Sequence, residues 1–220
     1  MSSLKGWQNM KPDNLILYGI TEGKWLEDSK RYEKVEQALK GGVTILQMRE
    51  KNLDEETFIG EAIKVKKICE KYGVPLIIND NVNVALRSGA DGVHLGQKDM
   101  GVKEARAILG GDKIIGASAR SVELAVKAMN DGADYLGTGA AFGTNTKMDA
   151  ITISHETIKE ICSSVNIPVV AIGGITKDNI PQLAGRGIAG VATVSAIFGA
   201  DDIESECKIL REISERTVKA

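Results

Sequence analysis

The sequence predicts an α/β protein with one domain, a closed (β/α)8 barrel of the TIM type with parallel strands. Three observations lead there. Eight short apolar runs alternate along 220 residues with longer stretches of helical periodicity, the order expected when helices cover a parallel sheet. The runs are rich in Val and Ile and mostly lack polar alternation, as strands buried on both faces should. The third observation is where the glycines fall. Thr21-Glu22-Gly23 after the first run is not the GxGxxG that an open dinucleotide-binding sheet carries there. A glycine pair, Gly173-Gly174, instead follows the seventh run, and barrels of this class bind phosphate after strands 7 and 8.

The elements follow in order. Residues 1–14 are polar and read as an irregular lead-in, with 15–220 as the barrel. The strands are expected at Leu15–Ile20, Val43–Met48, Pro75–Ile78, Gly92–Leu95, Lys113–Ala117, Tyr135–Thr138, Pro168–Ile172 and Val191–Val194. The helices are expected at Glu33–Lys40, Asp54–Tyr72, Val82–Arg87, Val102–Leu109, Ser121–Asn130, Ser154–Val165, Asn179–Ala184 and Asp201–Val218. Asp54 and Ser121 are suited to cap helix N-termini, and Pro181 suits a first turn. Four turns resemble one another: Gly41-Gly42-Val43, Gly89-Ala90-Asp91-Gly92, Gly132-Ala133-Asp134 and Gly187-Ile188-Ala189-Gly190. Each ends a helix with a glycine suited to the left-handed conformation.

Composition removes several function classes. A net charge of −2, a pI near 5.8 and 4% aromatic residues give neither the basic field nor the stacking platforms of a nucleic-acid binder. No apolar run approaches the roughly 20 residues that span a bilayer, and the N-terminus lacks the apolar core of a signal peptide. A cytoplasmic protein is therefore expected. Cys69, Cys162 and Cys207 are too scattered for a disulfide framework or a zinc site and are expected as reduced thiols.

Function in such a barrel belongs to the C-terminal ends of the strands. After strand 2, alternation puts Gln47, Arg49 and Lys51 on one face, with Met48 and Glu50 pointing away. Two cations and an amide on one rim suit a polyanion, although a surface network with Glu50 or Asp54 would also use them. Asn79-Asp80 follows strand 3, and His94-Leu95-Gly96-Gln97-Lys98-Asp99 closes strand 4. Two carboxylates on neighbouring strands suit Mg²⁺ bridging a diphosphate; the plainer job for Asp80 is to cap the next helix. His94 fits either an orienting hydrogen-bonder or a catalyst, whereas His155, at a helix start, reads as structural or solvent-facing. Small residues end strand 5 at Gly116-Ala117-Ser118. Beyond strand 6, Thr144, Thr146 and Lys147 sit in a Gly-rich loop suited to phosphate oxygens. Gly173-Gly174 after strand 7 and Ser195-Ala196-Ile197 after strand 8 offer bare backbone N–H groups to a monophosphate. The rim thus presents two anion sites, one metal-linked and cationic, the other glycine-rich.

From about Leu15 to Asp201 the sequence resembles the thiamine-phosphate synthase family. The segments QMREK, ND, DGVHLGQKD, IGASA, DYLGTGAAFGTNTKMDA, AIGGI and GVATVSAI occur in family order. AIGGI alone is shared by several phosphate-binding barrels; the combination is specific. The resemblance implies that Gln47, Arg49, Lys51, Asn79, Ser118 and Lys147 bind an aminopyrimidine diphosphate, with Lys147, Arg49, Lys51 and Ser118 acting in catalysis. It implies that Asp80 and Asp99 hold one Mg²⁺, and that Thr144, Thr146, Gly174, Val194 and Ser195 meet a thiazole phosphate. The implied activity is C–N bond formation with release of pyrophosphate. Implied partners are small molecules, with no nucleic acid or membrane, and a homodimer is the candidate assembly. The chain departs from the pattern at Gly139-Ala140, where the family has Gly-Pro, and in the glycine-poor stretch 150–154; the first predicts a looser loop. The alternatives are a thiazole tautomerase-like isomerase, which would need only the strand-7/8 phosphate site, and a non-catalytic phosphate-ligand sensor. An epimerase of the ribulose-phosphate type should carry paired metal histidines, and only His94 is available.

Overall fold

The computed structural model describes residues 11–21, 27–143 and 152–220. Eight parallel strands close on themselves in sequence order, β1 pairing with both β2 and β8. They are β1 Leu17–Ile20, β2 Ile45–Met48, β3 Leu76–Asn79, β4 Gly92–Leu95, β5 Ile114–Ser118, β6 Tyr135–Thr138, β7 Val169–Ile172 and β8 Gly190–Thr193. All eight lie within, or within one residue of, the apolar runs read from sequence. Around them run α1 Arg31–Lys40, α2 Glu55–Tyr72, α3 Val82–Ser88, α4 Val102–Leu109, α5 Val122–Asn130, α6 His155–Ser164, α7 Ser195–Phe198 and α8 Ile203–Val218.

Period-2 alternation sorts the strand residues into two cores. Leu17, Leu46, Met48, Leu76, Ile78, Val93, Leu136 and Val191 face outward into the helix layer. Tyr18, Ile45, Ile77, Ile114, Tyr135, Val170 and Ala192 face inward and fill the barrel. Met48 is fully buried in the outer core, so Gln47, Arg49 and Lys51 have the opposite face to themselves.

Local chemistry fixes where helices begin and end. Asp54, Asn81, Ser121, Ser154 and Asp202 each accept a hydrogen bond from the backbone N–H three residues on, using donors the helix cannot satisfy itself. The four similar turns carry positive φ at Gly42, Gly89, Gly132 and Gly187, as the sequence predicts. At the barrel floor, Asp91 and Asp134 accept from Leu76 N and Ile115 N, and so each acid before a strand ties down the strand preceding it.

Two elements differ from expectation. The helix predicted at Asn179–Ala184 is a single 3-10 turn, Ile180–Leu183. Pro181 starts it, but Gly185 and Gly187, both at positive φ, stop it after four residues. The segment after β8, read as bare loop, coils into α7 from Ser195. At the other end, the lead-in finishes in a 3-10 turn, Pro12–Leu15, which buries Leu15 beneath β8.

Candidate active site

The C-terminal ends of the strands enclose a cavity of about 580 Å³. Every site residue named from sequence among the described residues lines it: Gln47, Arg49, Lys51, Asn79, Asp80, Asp99, Ser118, Gly174, Val194 and Ser195. Thr144, Thr146 and Lys147 lie outside the described residues.

At the β2 rim, Thr21 sets the strand end. Its Oγ1 accepts from Arg49 N at 3.0 Å and donates to Glu50 Oε1 at 3.4 Å. Glu50 is thus held away from the cavity that Arg49 and Lys51 enter, and the alternation argument for QxRxK holds.

The β3 and β4 ends bring two carboxylates together. The helix cap that Asp80 might have supplied comes from Asn81, whose Oδ1 accepts from Val84 N at 2.9 Å. Asp80 is left free to turn inward, on a backbone at φ +65° that side chains rarely adopt. Its N–H is pinned to His94 O at 2.8 Å. Asp99 is held by a tight turn, its Oδ2 accepting from Gly96 N at 2.7 Å. The two carboxyls meet side chain to side chain. Burial, and then Asp99, raise Asp80 from 3.8 to about 6, against the opposing pull of Lys51 and Asn79. Two hard oxygen donors facing each other at such a cost fit a divalent cation that takes its other ligands from water and phosphate. Among the described residues no cluster of three or more His, Cys, Asp or Glu forms a full metal cage.

Across the cavity the β7 end is built from glycine. Gly173 and Gly174 take φ of +99° and +64°. A Cβ on Gly174 would lie 2.3 Å from Gly143 O, and one on Gly173 would lie 2.6 Å from the Ala140 Cβ. The start of the β6 loop therefore packs directly on this turn, and Ala141 N and Phe142 N donate to Ile172 O and Gly173 O at 2.8 and 3.0 Å. The Gly139–Ala140 peptide is cis. His155 supports the same segment from below, its Nε2 lying 3.2 Å from Ala141 O and its ring edge-on to Phe142.

A family model for thiamine monophosphate synthase matches residues 17–197. The chain belongs to that family. It is 50% identical over 197 residues to a thiamine-phosphate synthase of Ruminiclostridium cellulolyticum, covering 90% of this chain and 94% of that one. Its identity to the Clostridium acetobutylicum enzyme of the same name is 45%, covering 94% and 98%. Among solved structures it resembles the thiamine phosphate pyrophosphorylase of Pyrococcus furiosus, at a TM-score of 0.86 and 40% identity over 94% of this chain and 98% of that one. Membership makes the chain an enzyme, a transferase of thiamine biosynthesis.

Sequence reasoning missed part of the cavity lining. Tyr18 on β1 lines the cavity floor, and Gln97, Lys98 and Arg120 line its β4–β5 side. Lys98 and Arg120 were legible in principle, since both follow strand ends. Nothing in the sequence singles out Tyr18 or Tyr135 within their strands, yet their hydroxyls lie 2.7 Å apart inside the barrel. Burial raises both phenols, so they stay neutral at physiological pH. His94 bridges this pair to Ser118, and burial pushes its ring down to about 4.

Proposed function

We propose that the chain is a thiamine-phosphate synthase, joining hydroxymethylpyrimidine diphosphate to hydroxyethylthiazole phosphate with release of pyrophosphate. One observation carries the reading. A carboxylate pair and the cations Arg49 and Lys51 stand at one end of a cavity whose other end is the Gly173-Gly174 turn. That arrangement suits a metal-linked diphosphate opposite a monophosphate held by backbone N–H groups.

The pyrimidine diphosphate lies along Gln47, Arg49, Lys51, Asn79 and Ser118, and the family resemblance adds Lys147, which lies outside the described residues. The thiazole phosphate lies against Gly174, Val194 and Ser195, with Thr144 and Thr146. Asp80 and Asp99 would hold one Mg²⁺, which when bound would offset negative charge on the diphosphate. The bond from the pyrimidine methylene to the diphosphate oxygen breaks, and its electron pair leaves with pyrophosphate. The ring amino group feeds electron density to the methylene cation. The thiazole nitrogen then forms the C–N bond with its own lone pair. No proton is removed, so no general base is required. That agrees with His94, whose two nitrogens both face hydroxyls. The residues contribute by aligning the two substrates and by stabilising charge as it develops on the leaving group.

Phosphorylated substrates do not cross bilayers unaided, which supports a cytoplasmic site of action. Among the described residues no helix is long and apolar enough to cross a membrane. A homodimer remains the expected assembly. The isomerase and sensor alternatives give no reason for the carboxylate pair, and relatives at 45–50% identity are synthases.

The test is reconstitution with both substrates and Mg²⁺, following thiamine phosphate by mass and pyrophosphate by coupled assay. Equimolar release of both products, abolished by EDTA, is expected. Binding of thiazole phosphate without any product would turn the assignment to the isomerase or the sensor.

A further inference from the structure

A hydrogen-bonded chain crosses the barrel interior beneath the cavity. Gln47 Nε2 donates to Tyr18 OH at 2.7 Å, and the Tyr18 and Tyr135 hydroxyls are 2.7 Å apart. Tyr135 OH lies 3.0 Å from His94 Nδ1, and His94 Nε2 lies 3.0 Å from Ser118 Oγ. The chain links residues of β2, β1, β6, β4 and β5. Glycines make room for its rings. A Cβ on Gly116 would lie 2.1 Å from the Tyr135 ring, and one on Gly137 would lie 3.1 Å from His94 Cε1. The rings are therefore built into the barrel rather than tolerated there.

Each hydroxyl has one proton, so the chain has a direction. The Gln47 amide nitrogen only donates, and Tyr18 oxygen accepts from it. Tyr18 is 1% exposed, and Tyr135 is the acceptor within its reach among the described residues. Tyr135, having accepted, passes its own proton to His94 Nδ1. With hydroxyls at both nitrogens the neutral ring carries its proton on Nε2 and donates to Ser118 Oγ. Ser118 has then accepted, and its own proton is left for the cavity.

We propose that this chain fixes Ser118 as a hydrogen donor toward the bound diphosphate, and that Tyr18, Tyr135 and His94 are positioning residues acting through it. The proposal rests on reading the cavity as a diphosphate site. The opposite polarity would turn the Ser118 lone pairs toward an anion and leave the Tyr18 proton facing the Gln47 NH₂. Buried polar groups of this kind are costly when unpaired, and the proposed order satisfies every member.

Two measurements test it. The first is ¹⁵N NMR of the histidine-labelled, ligand-free protein at neutral pH, with His155 assigned through His155→Gln. His94 is expected to carry its proton on Nε2, and Tyr135→Phe is expected to move the Nδ1 resonance to that of an unbonded nitrogen. A proton on Nδ1, or an Nδ1 resonance unmoved by Tyr135→Phe, would overturn the chain whatever the enzyme's substrate. The second is a double-mutant cycle on thiamine phosphate formation. Loss of one oriented hydrogen bond to a charged group predicts roughly a tenfold lower kcat for Tyr135→Phe. In a Ser118→Ala background the same change is expected to cost less than about twofold, because its target is gone. Equal losses in both backgrounds would show that Tyr135 does not act through Ser118. If wild type made no thiamine phosphate at all, the functional assignment would fail while the NMR result still judged the chain.

Discussion

Replacing Asp80 with Asn should stabilise the metal-free protein at alkaline pH while abolishing its use. Asp80 is raised from 3.8 to about 6 by burial and by Asp99. An acid whose folded pKa is raised binds more protons folded than unfolded. Its penalty is absent at low pH, grows as pH rises through the window from about 4 to 6, and is complete above it. A shift of roughly two units corresponds to about 3 kcal/mol at full burial, and because Asp80 is only partly buried solvent screening reduces that to about 1–2 kcal/mol. Asn keeps the shape, carries no charge, and tolerates the φ of +65° at least as well as Asp. The gain is thus not offset by backbone strain. For a domain of this size about 1–2 kcal/mol raises Tm by roughly 2–8 °C. The assay is thermal unfolding in EDTA at pH 8 and again at pH 4. A large gain at pH 8 that disappears by pH 4 is expected. No gain at pH 8, or the same gain at both, would refute the view that the carboxylate pair costs the fold stability that a bound cation returns.

Other outcomes follow from the same geometry. His94 has the opposite sign: lowered from 6.5 to about 4, it costs stability as pH falls below 6.5, by about 3 kcal/mol at pH 4. The two slopes oppose each other between pH 6 and 4, so Asp80→Asn should steepen the fall in stability with falling pH, and His94→Gln in that background should remove the His94 part; urea denaturation across the range reads both. Asp80→Ala or Lys147→Ala should lower kcat by about 10²-fold or more, as for loss of a strong contact to developing charge, and wild-type single-turnover chemistry in either would exclude the assigned role. Gly174→Ala, whose Cβ would lie 2.3 Å from Gly143 O, should raise KM for the thiazole phosphate at least about tenfold, with a smaller effect on the pyrimidine diphosphate. Equal changes for both substrates would show that the turn does not hold one of them selectively.

Much of this was legible because local rules sufficed. Strand alternation alone sent Gln47, Arg49 and Lys51 one way and Met48 the other, and the barrel's C-terminal rim is where function sits whatever the sequence. Glycine at the turns marked helix ends because few other residues tolerate positive φ. What sequence could not supply was depth and distance. Nothing local distinguishes Tyr18 from its apolar neighbours in Leu17–Ile20, and its partner Tyr135 is 117 residues away. Only the register that sets Gly116 opposite Tyr135 reveals the space for a second buried ring. That Asp80 does not cap the next helix was likewise undecidable until Asn81 was seen to hold the cap. At Ile180–Leu183 the sequence overstates the helix, because Pro181 favours a start there while Gly185, at positive φ, stops it.

The central claim is that one cavity holds two chemically different anion sites, and isothermal titration tests it most directly. Pyrophosphate is predicted to bind wild type only with Mg²⁺ and to lose binding in Asp80→Ala, whereas thiazole phosphate binds wild type equally with Mg²⁺ or with EDTA. Pyrophosphate binding that ignores both Mg²⁺ and Asp80, or thiazole phosphate binding that needs them, would contradict the account.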